Sequence, residues 1–159
     1  MNSIFDRFKF SPVMLAVDVG TGTSTGSWIN CRDYPITCFW IHRGAVGSAS
    51  DFFDIAKVQQ ATDASGTGAK DVGGLTLGPT LPLTTGSVAA DSAILELDSE
   101  ALDVANNFKF ATVLLSLSAD GGSNLTTVIA IQGQARYASR ALNMRAIADA
   151  AQLVSKTMT

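Results

Sequence analysis

The chain has 159 residues, of which 47% are hydrophobic and only 16% are charged, and its formal net charge is −3. This length is typical of one domain, and the charged fraction lies well below the roughly 25% of an average soluble protein. The eleven basic residues are scattered along the chain, which excludes the clustered Lys and Arg of a nucleic-acid-binding face.

No membrane span or signal peptide is expected from the sequence. Apolar stretches stay shorter than the roughly 18 residues of a membrane-spanning helix, and Asp6, Arg7 and Lys9 interrupt the first apolar run. We therefore expect a chain made in the cytoplasm, with its two cysteines reduced.

Residues 15–28, LAVDVGTGTSTGSW, have the composition of a phosphate-binding loop. Gly20, Gly22 and Gly26 do not have the spacing of a P-loop, and the next lysine downstream is Lys57. The DVGT sequence that begins at Asp18 is similar to the first phosphate loop of the actin and sugar-kinase superfamily, but those proteins need two large domains. We interpret the stretch as a loop that leaves an early strand over residues 13–19.

Residues 27–32 and 36–42 are β-prone runs on either side of a turn, and they predict a hairpin. In its tightest register Cys31 opposes Cys38, and Ile29 opposes Trp40. A two-residue turn of this kind favours a cis Tyr34–Pro35 bond in a type VI turn. A longer loop would instead contain a trans bond. We expect the two cysteines to be packed and reduced, because a disulfide needs a particular geometry and an oxidising compartment.

The middle of the chain predicts a strand within residues 51–63, a long Gly/Ala/Ser loop, an extended segment over 70–77 and a short strand over 93–97. In DSEALD, Ser99 is the expected cap of one helical turn. Five acidic residues surround this turn and lack the regular loop with a central glycine that binds calcium, so we expect them to be solvated: Asp91, Glu96, Asp98, Glu100 and Asp103.

The strongest strand pair is 108–119 with 125–132, and the DGGSN sequence between them predicts a hairpin. Val113, Leu115 and Leu117 form a wholly apolar face, which indicates a central strand packed against a second sheet. Several strands, short turns and no alternating helices predict an all-β sandwich that is jelly-roll-like.

The period changes near the C-terminus, where residues 139–158 predict an amphipathic helix. We therefore divide the chain into an N-terminal segment with its Gly/Thr/Ser loop over 1–26, a β-sandwich over 27–138 and a C-terminal helix over 139–159. The helix either covers the sandwich or reaches a neighbouring subunit.

No active site is predicted. His42 is the only histidine, and no nucleophile elbow accompanies it. It lies four residues beyond Cys38 without a second pair of ligands, so no metal site is expected either. We expect a protein that is not an enzyme and needs no cofactor.

Residues 58–70, VQQATDASGTGAK, together with IHRGA at 41–45 and QARY at 134–137, resemble small β-rich structural proteins encoded near the capsid genes of tailed bacteriophages. The resemblance implies a virion component, a capsid decoration or cement protein that binds the major capsid protein and copies of itself, for example as a trimer. It supplies no catalytic residues. The long C-terminal helix departs from the family pattern.

A low charge without membrane features favours a protein that buries much surface against other proteins. The terminal segments supply the candidate inter-subunit contacts, which are Phe5, Phe8, Phe10, Leu142, Ile147, Leu153 and Val154. Two alternatives stay open: a head–tail or tail component of the same virion, and a free carbohydrate-binding sandwich with Trp28 and Trp40 as stacking platforms. In the hairpin register those tryptophans point to opposite faces.

Overall fold

A computed structural model describes residues 8–46, 52–76, 90–119 and 122–133. Five of the seven candidate contact residues lie outside these ranges, and so does the predicted helix over 139–158. These five residues are Phe5, Leu142, Ile147, Leu153 and Val154.

The described residues form two antiparallel sheets that pack face to face. Sheet A has the order β1 (Phe8–Asp18), β9 (Leu125–Gly133), β4 (Ile36–Arg43) and β7 (Asp91–Asp98). In sheet B, the short strands β2 (Ser24–Thr25) and β3 (Ile29–Asn30) both pair with β8 (Phe110–Leu117), followed by β5 (Phe53–Ala61) and β6 (Lys70–Thr76).

The strand pairings are nested. Since β2 and β3 both pair with β8, they are two halves of one interrupted strand. From the outermost to the innermost, the pairs are β1 with β9, β2 and β3 with β8, β4 with β7, and β5 with β6. This is one long hairpin folded over on itself, and the pairs β4·β9 and β5·β8 join its arms into two sheets. The predicted all-β, jelly-roll-like sandwich is confirmed.

The alternation of buried and exposed side chains along a strand shows which of its sides faces the second sheet. Along β4, Thr37, Phe39, Ile41 and Arg43 are buried, and the residues between them are partly exposed on the other face. Arg43 ends the inward row, with its guanidinium carbon 5.9 Å from the ring centroid of Phe53.

The core lies between the two sheets and is mostly aliphatic, with Phe39 and Phe53 as aromatic members. Sheet A contributes Phe39, Ile41, Leu95, Leu97 and Val128, and sheet B contributes Ala56, Val58, Val113, Leu115 and Leu117. The central position predicted for residues 113–117 is confirmed, because β8 lies between β5 and the interrupted edge strand. Each buried aliphatic side chain stabilises the fold by about 1.5–3 kcal/mol.

Both predicted hairpins are wrong, for the same reason. β3 pairs with β8 in sheet B, whereas β4 pairs with β7 and β9 in sheet A. β8 and β9 also belong to different sheets. Two apolar strands joined by a turn can pair as a hairpin in one sheet, or the chain can cross from one sheet to the other. Both arrangements bury the apolar side chains, so the residues of the turn do not distinguish a hairpin from a crossing. The Tyr34–Pro35 bond is trans.

The sandwich includes residues before position 27, where the sequence analysis placed its start. β1 pairs with β9 from Phe8 opposite Gly133 to Asp18 opposite Leu125, and Val13, Met14 and Val19 belong to the core. The N-terminal residues 8–26 are therefore part of the β-domain that the sequence placed at 27–138.

The turn after β7 forms with a different cap from the predicted one. Ser99–Ala101 is a short 3-10 helix, and Asp98 caps it by accepting a hydrogen bond from the Glu100 N–H at 3.0 Å. Ser99 is the first residue inside the turn, and its N–H donates a hydrogen bond to the Pro35 carbonyl at 3.0 Å.

Candidate interaction surfaces

The Gly/Thr/Ser segment after β1 makes the contacts of a connecting loop. The Asp18 carboxylate accepts a hydrogen bond from the Asn124 N–H at 2.7 Å, which ties the end of β1 to the start of β9. The carbonyls of Gly20 and Thr21 accept hydrogen bonds from the Leu117 N–H and the Ser116 hydroxyl. These hydrogen bonds hold the segment along β8.

His42 lies on the outward side of β4 beside Ser92 of β7. Its Nδ1 is 2.8 Å from the Ser92 Oγ, and its ring centroid is 5.9 Å from that of Trp40. The Asp91 carboxylate accepts a hydrogen bond from the Ser92 N–H, at 2.8 Å. Within the described part of the chain, no carboxylate hydrogen-bonds to the histidine, so the pair lacks the third group that orients a catalytic base.

Asp103, one of the five acidic residues around the turn, forms an ion pair. The Lys70 ammonium lies 2.5 Å from the Asp103 carboxylate and 4.3 Å from the ring centroid of Phe108. Hydrogen bonds from Lys70 and then Asn106 lower the pKa of Asp103. Among the residues that the structure describes, no group of His, Cys, Asp and Glu side chains could hold a metal ion.

The ATDASGTGAK stretch folds as a compact turn between β5 and β6. The Asp63 carboxylate accepts hydrogen bonds from the N–H groups of Ser65 and Thr67, at 2.9 and 3.1 Å, and the Thr67 hydrogen bonds are the largest contribution to its lowered pKa. Gly66 has φ +84°, and a Cβ there would lie 2.6 Å from the Trp28 Nε1. Trp28 therefore packs against this turn.

The two tryptophans do not form a shared platform for a sugar. Trp28 lies at the interrupted edge of sheet B, against Gly66. Trp40 lies on the outward side of β4 in sheet A, opposite Ile94 and Ile129.

Cys31 and Cys38 are free thiols on opposite sides of sheet A. Cys31 belongs to the core, whereas Cys38 is partly buried on the outward face. Burial raises the pKa of the Cys31 thiol to about 11 and that of Cys38 to about 12. The predicted register that placed them opposite each other is wrong, because Cys31 follows β3 of sheet B whereas Cys38 lies in β4 of sheet A.

The outward face of sheet A is largely apolar, and we call it the apolar face. In one row across the sheet Pro12, Ile129, Trp40 and Ile94 are neighbours, and in the next row Phe10, Ile131, Cys38 and Glu96. A third row adds Phe8 and Ile36. The outward face of sheet B carries polar groups among its apolar ones, since Lys57 and Gln59 hydrogen-bond to Asp71 there.

A second apolar surface runs along the edge strand β1, and we call it the β1 rim. It comprises Leu15, Val17 and Leu125, whose side chains are 63%, 38% and 50% exposed. A groove of about 410 Å³ adjoins it between β1 and the hydroxyls of Ser24, Thr25 and Ser27. β1 is irregular at this point, with register shifts on both sides of Met14 and φ +48° at Ala16.

Of the predicted contact residues, the structure places Phe8 and Phe10 on the apolar face. Sequence reasoning missed the β1 rim and the contributions of Ile36, Ile94, Ile129 and Ile131. The alternation of apolar residues in 125–132 was the available indication, but it does not reveal which side of a strand faces the second sheet.

Comparisons of the chain with protein-family models, with curated proteins and with solved structures found no match. No helix among the described residues has the length and hydrophobicity needed to cross a membrane. The described residues define a small jelly-roll domain with one apolar face and one apolar edge.

Proposed function

We propose that this chain is a structural protein of a virion, a capsid decoration or cement protein that binds and stabilises the head lattice of a tailed phage. The observation that carries the proposal is the β1 rim. Apolar side chains as exposed as Leu15 and Val17 on the edge strand β1, together with Leu125 on the neighbouring strand β9, are typical of a surface that another protein covers. The partners are the major capsid protein and further copies of the chain.

The fold is compatible with this function but does not assign it. Jelly rolls occur in viral capsid proteins, and also in lectins and cupins. A lectin function gains no support from Trp28 and Trp40, which lie in different sheets. The low charged fraction of 16% favours the structural function, because obligate interfaces are the more apolar ones.

A decoration protein needs no chemical reaction. A copy that binds only the assembled lattice lowers the free energy of that state by an amount set by its affinity and concentration. Many copies on one shell multiply the effect. Burial of Leu15 and Leu125 would contribute about 1.5–3 kcal/mol for each side chain, before the cost of ordering is subtracted.

The test is an add-back experiment on particles purified from the host that carries the gene. Particles stripped of the protein are mixed with recombinant chain, and binding and heat resistance are measured. Because Leu15 is the most exposed large side chain of the β1 rim, Leu15→Asp should weaken binding by at least about tenfold. Val104→Asp is the matched control, since Val104 is 46% exposed on a separate 3-10 turn.

Absence of the chain from purified particles, measured by mass spectrometry, would overturn the proposal. Immunogold labelling of the tail or the head–tail junction, in place of the head surface, would assign the chain to the alternative virion position. Equal binding by the wild type and Leu15→Asp would exclude the β1 rim as the attachment surface.

A further inference from the structure

We propose that the amphipathic helix predicted over residues 139–158 packs on the apolar face of its own chain. The inference rests on the geometry of sheet A and on the charge distribution of the sequence, and it is independent of the proposed function. The occupant of the apolar face is thus a segment of the same molecule, and the β1 rim remains available to a partner.

The position of β9 makes this packing possible. β9 is a central strand of sheet A, flanked by β1 and β4, and it ends at Gly133 in the same row as Phe8 and Ile36. Five residues separate Gly133 from Ser139, and they span up to about 17 Å when extended. Packed layers lie about 10 Å apart, so this connection is long enough to turn the chain back over the face.

The dimensions of the two elements also agree. A helix of 20 residues is about 30 Å long, and the nine residues of β9 extend over about 30 Å. A helix is about 10 Å wide, which covers two strands spaced about 4.8 Å apart. Placed over β9 and β4, it would cover Ile129, Ile131, Trp40 and Cys38 and leave Phe8 and Phe10 at its border.

The chemistry of the two surfaces is complementary. The apolar stripe of the predicted helix contains Leu142, Ala146, Ile147, Ala150, Leu153 and Val154. Packing this stripe on the isoleucines of the apolar face removes both surfaces from water, which neither achieves alone.

Charge points to the same pairing. Four of the eleven basic residues but only one of the fourteen acidic residues fall in 134–159, which leaves +3 there and −6 on the rest of the chain. The described outward-facing residues of sheet A include Glu96 and Asp98 on β7, and no Lys or Arg. A basic segment tethered five residues away is present at a high effective concentration, which favours its own chain over a second copy.

The native Cys38 makes the packing measurable in the full-length protein. Ala146→Cys lies on the apolar stripe, whereas Ala148→Cys, an identical substitution two residues later, lies on the opposite side of the helix. Under mild oxidation of the folded protein, we expect Ala146→Cys to form a disulfide with Cys38 at least ten times faster than Ala148→Cys. The product is identified by peptide mass mapping and by its monomeric mass on a non-reducing gel.

Three outcomes would overturn the inference: equal linkage by the two variants, no linkage in either, or linkage only between two copies. The last would assign the apolar face to the helix of a second molecule.

A measurement that introduces no cysteine is the fluorescence emission of Trp40 in a Trp28→Phe background. Leu142→Asp should move this emission to longer wavelength while Ala141→Asp, on the opposite side of the helix, leaves it unchanged; equal shifts would count against the packing.

Discussion

At the scale of single residues, the alternation of side chains decides the environment of each group. Thr37 and Cys38 are adjacent in sequence, yet Thr37 faces the core and Cys38 faces outward. Cys31 reaches the inner side from the segment that follows β3, and its thiol donates a hydrogen bond to the Ile29 carbonyl at 3.5 Å. Its thiol is fully buried, which keeps it protonated at neutral pH and unreactive toward alkylating reagents.

The buried Cys31 thiol makes stability decrease at alkaline pH. Burial raises its pKa from the ordinary 9.0 to about 11, so the folded state holds this proton at pH values where the unfolded state has lost it. The stabilisation is complete below pH 9 and is lost as the pH rises from 9 toward 11. Each pH unit in this window lowers the free energy of unfolding by up to about 1.4 kcal/mol.

The measurement is urea denaturation at pH 8, 9, 10 and 11 for the wild type and Cys31→Ala. The variant is less stable at pH 8, because it leaves a cavity, but the difference should shrink as the pH rises. Two curves that stay parallel up to pH 11 would show that Cys31 does not cause the loss. Alkylation of both cysteines in the unfolded, non-reduced protein checks that no disulfide is present.

At the scale of elements, the edge strands β1 of sheet A and β2 with β3 of sheet B are irregular. β1 is interrupted by register shifts, and β2 and β3 are separated around Gly26. There the chain connects the two sheets: the Gly26 N–H donates to the Val113 carbonyl of β8 at 3.0 Å, and the Ser27 N–H donates to the Val13 carbonyl of β1 at 2.9 Å. These two hydrogen bonds close one side of the sandwich, and such interruptions protect an edge against unwanted strand pairing.

Gly26 is required because β1 approaches it closely. A Cβ at this position would lie 2.3 Å from the Val13 Cγ1 and 3.2 Å from the Val13 carbonyl oxygen. We expect Gly26→Ala to lower the free energy of unfolding by about 1–3 kcal/mol through overpacking. In a Val13→Ala background the nearest atom is removed, so the same substitution should cost less, by about 1 kcal/mol.

The four proteins of this double-mutant cycle are compared by urea denaturation. Gly22→Ala is the control, because a Cβ at Gly22 has no neighbour within 4 Å, and its effect should stay within about 0.5 kcal/mol. Additive effects of Gly26→Ala and Val13→Ala would contradict the close approach.

At the scale of the whole molecule, the nested pairing makes the first and last described strands neighbours. β1 pairs with β9 across more than a hundred residues of sequence, and only β5 and β6 pair as consecutive strands. The sandwich is therefore dominated by non-local contacts, which predicts folding on the millisecond-to-second scale. It also means that sheet A is not complete until both ends of the domain are in place.

A chain that starts at residue 27 should consequently fail to fold. It lacks β1 and β2, so β9 loses one of its two neighbours and the core loses Val13, Met14 and Val19. We expect no cooperative thermal transition by circular dichroism. A chain that starts at Phe8 keeps both strands and is the control; a cooperative transition of equal midpoint in both chains would contradict the jelly-roll pairing.

Local features of the sequence were sufficient to predict the fold class and most strand positions. The β-prone runs in 51–63, 70–77, 93–97, 108–119 and 125–132 correspond to β5–β9, because strand formation depends on branched and aromatic residues between turn residues. The apolar side of β8 was also predictable, since Val113, Leu115 and Leu117 repeat with period two. Phe8 and Phe10 lie on the apolar face, and their contact with another subunit stays a prediction.

The partner of each strand was decided only by the tertiary structure. A turn such as DGGSN is compatible with a hairpin or with a crossing to the other sheet, and burial between two sheets selected the crossing for β8 and β9. For the same reason the sequence placed Cys31 opposite Cys38 and omitted residues 8–26 from the sandwich. The apolar face and the β1 rim consist of residues far apart in sequence, and only long-range pairing brings them together.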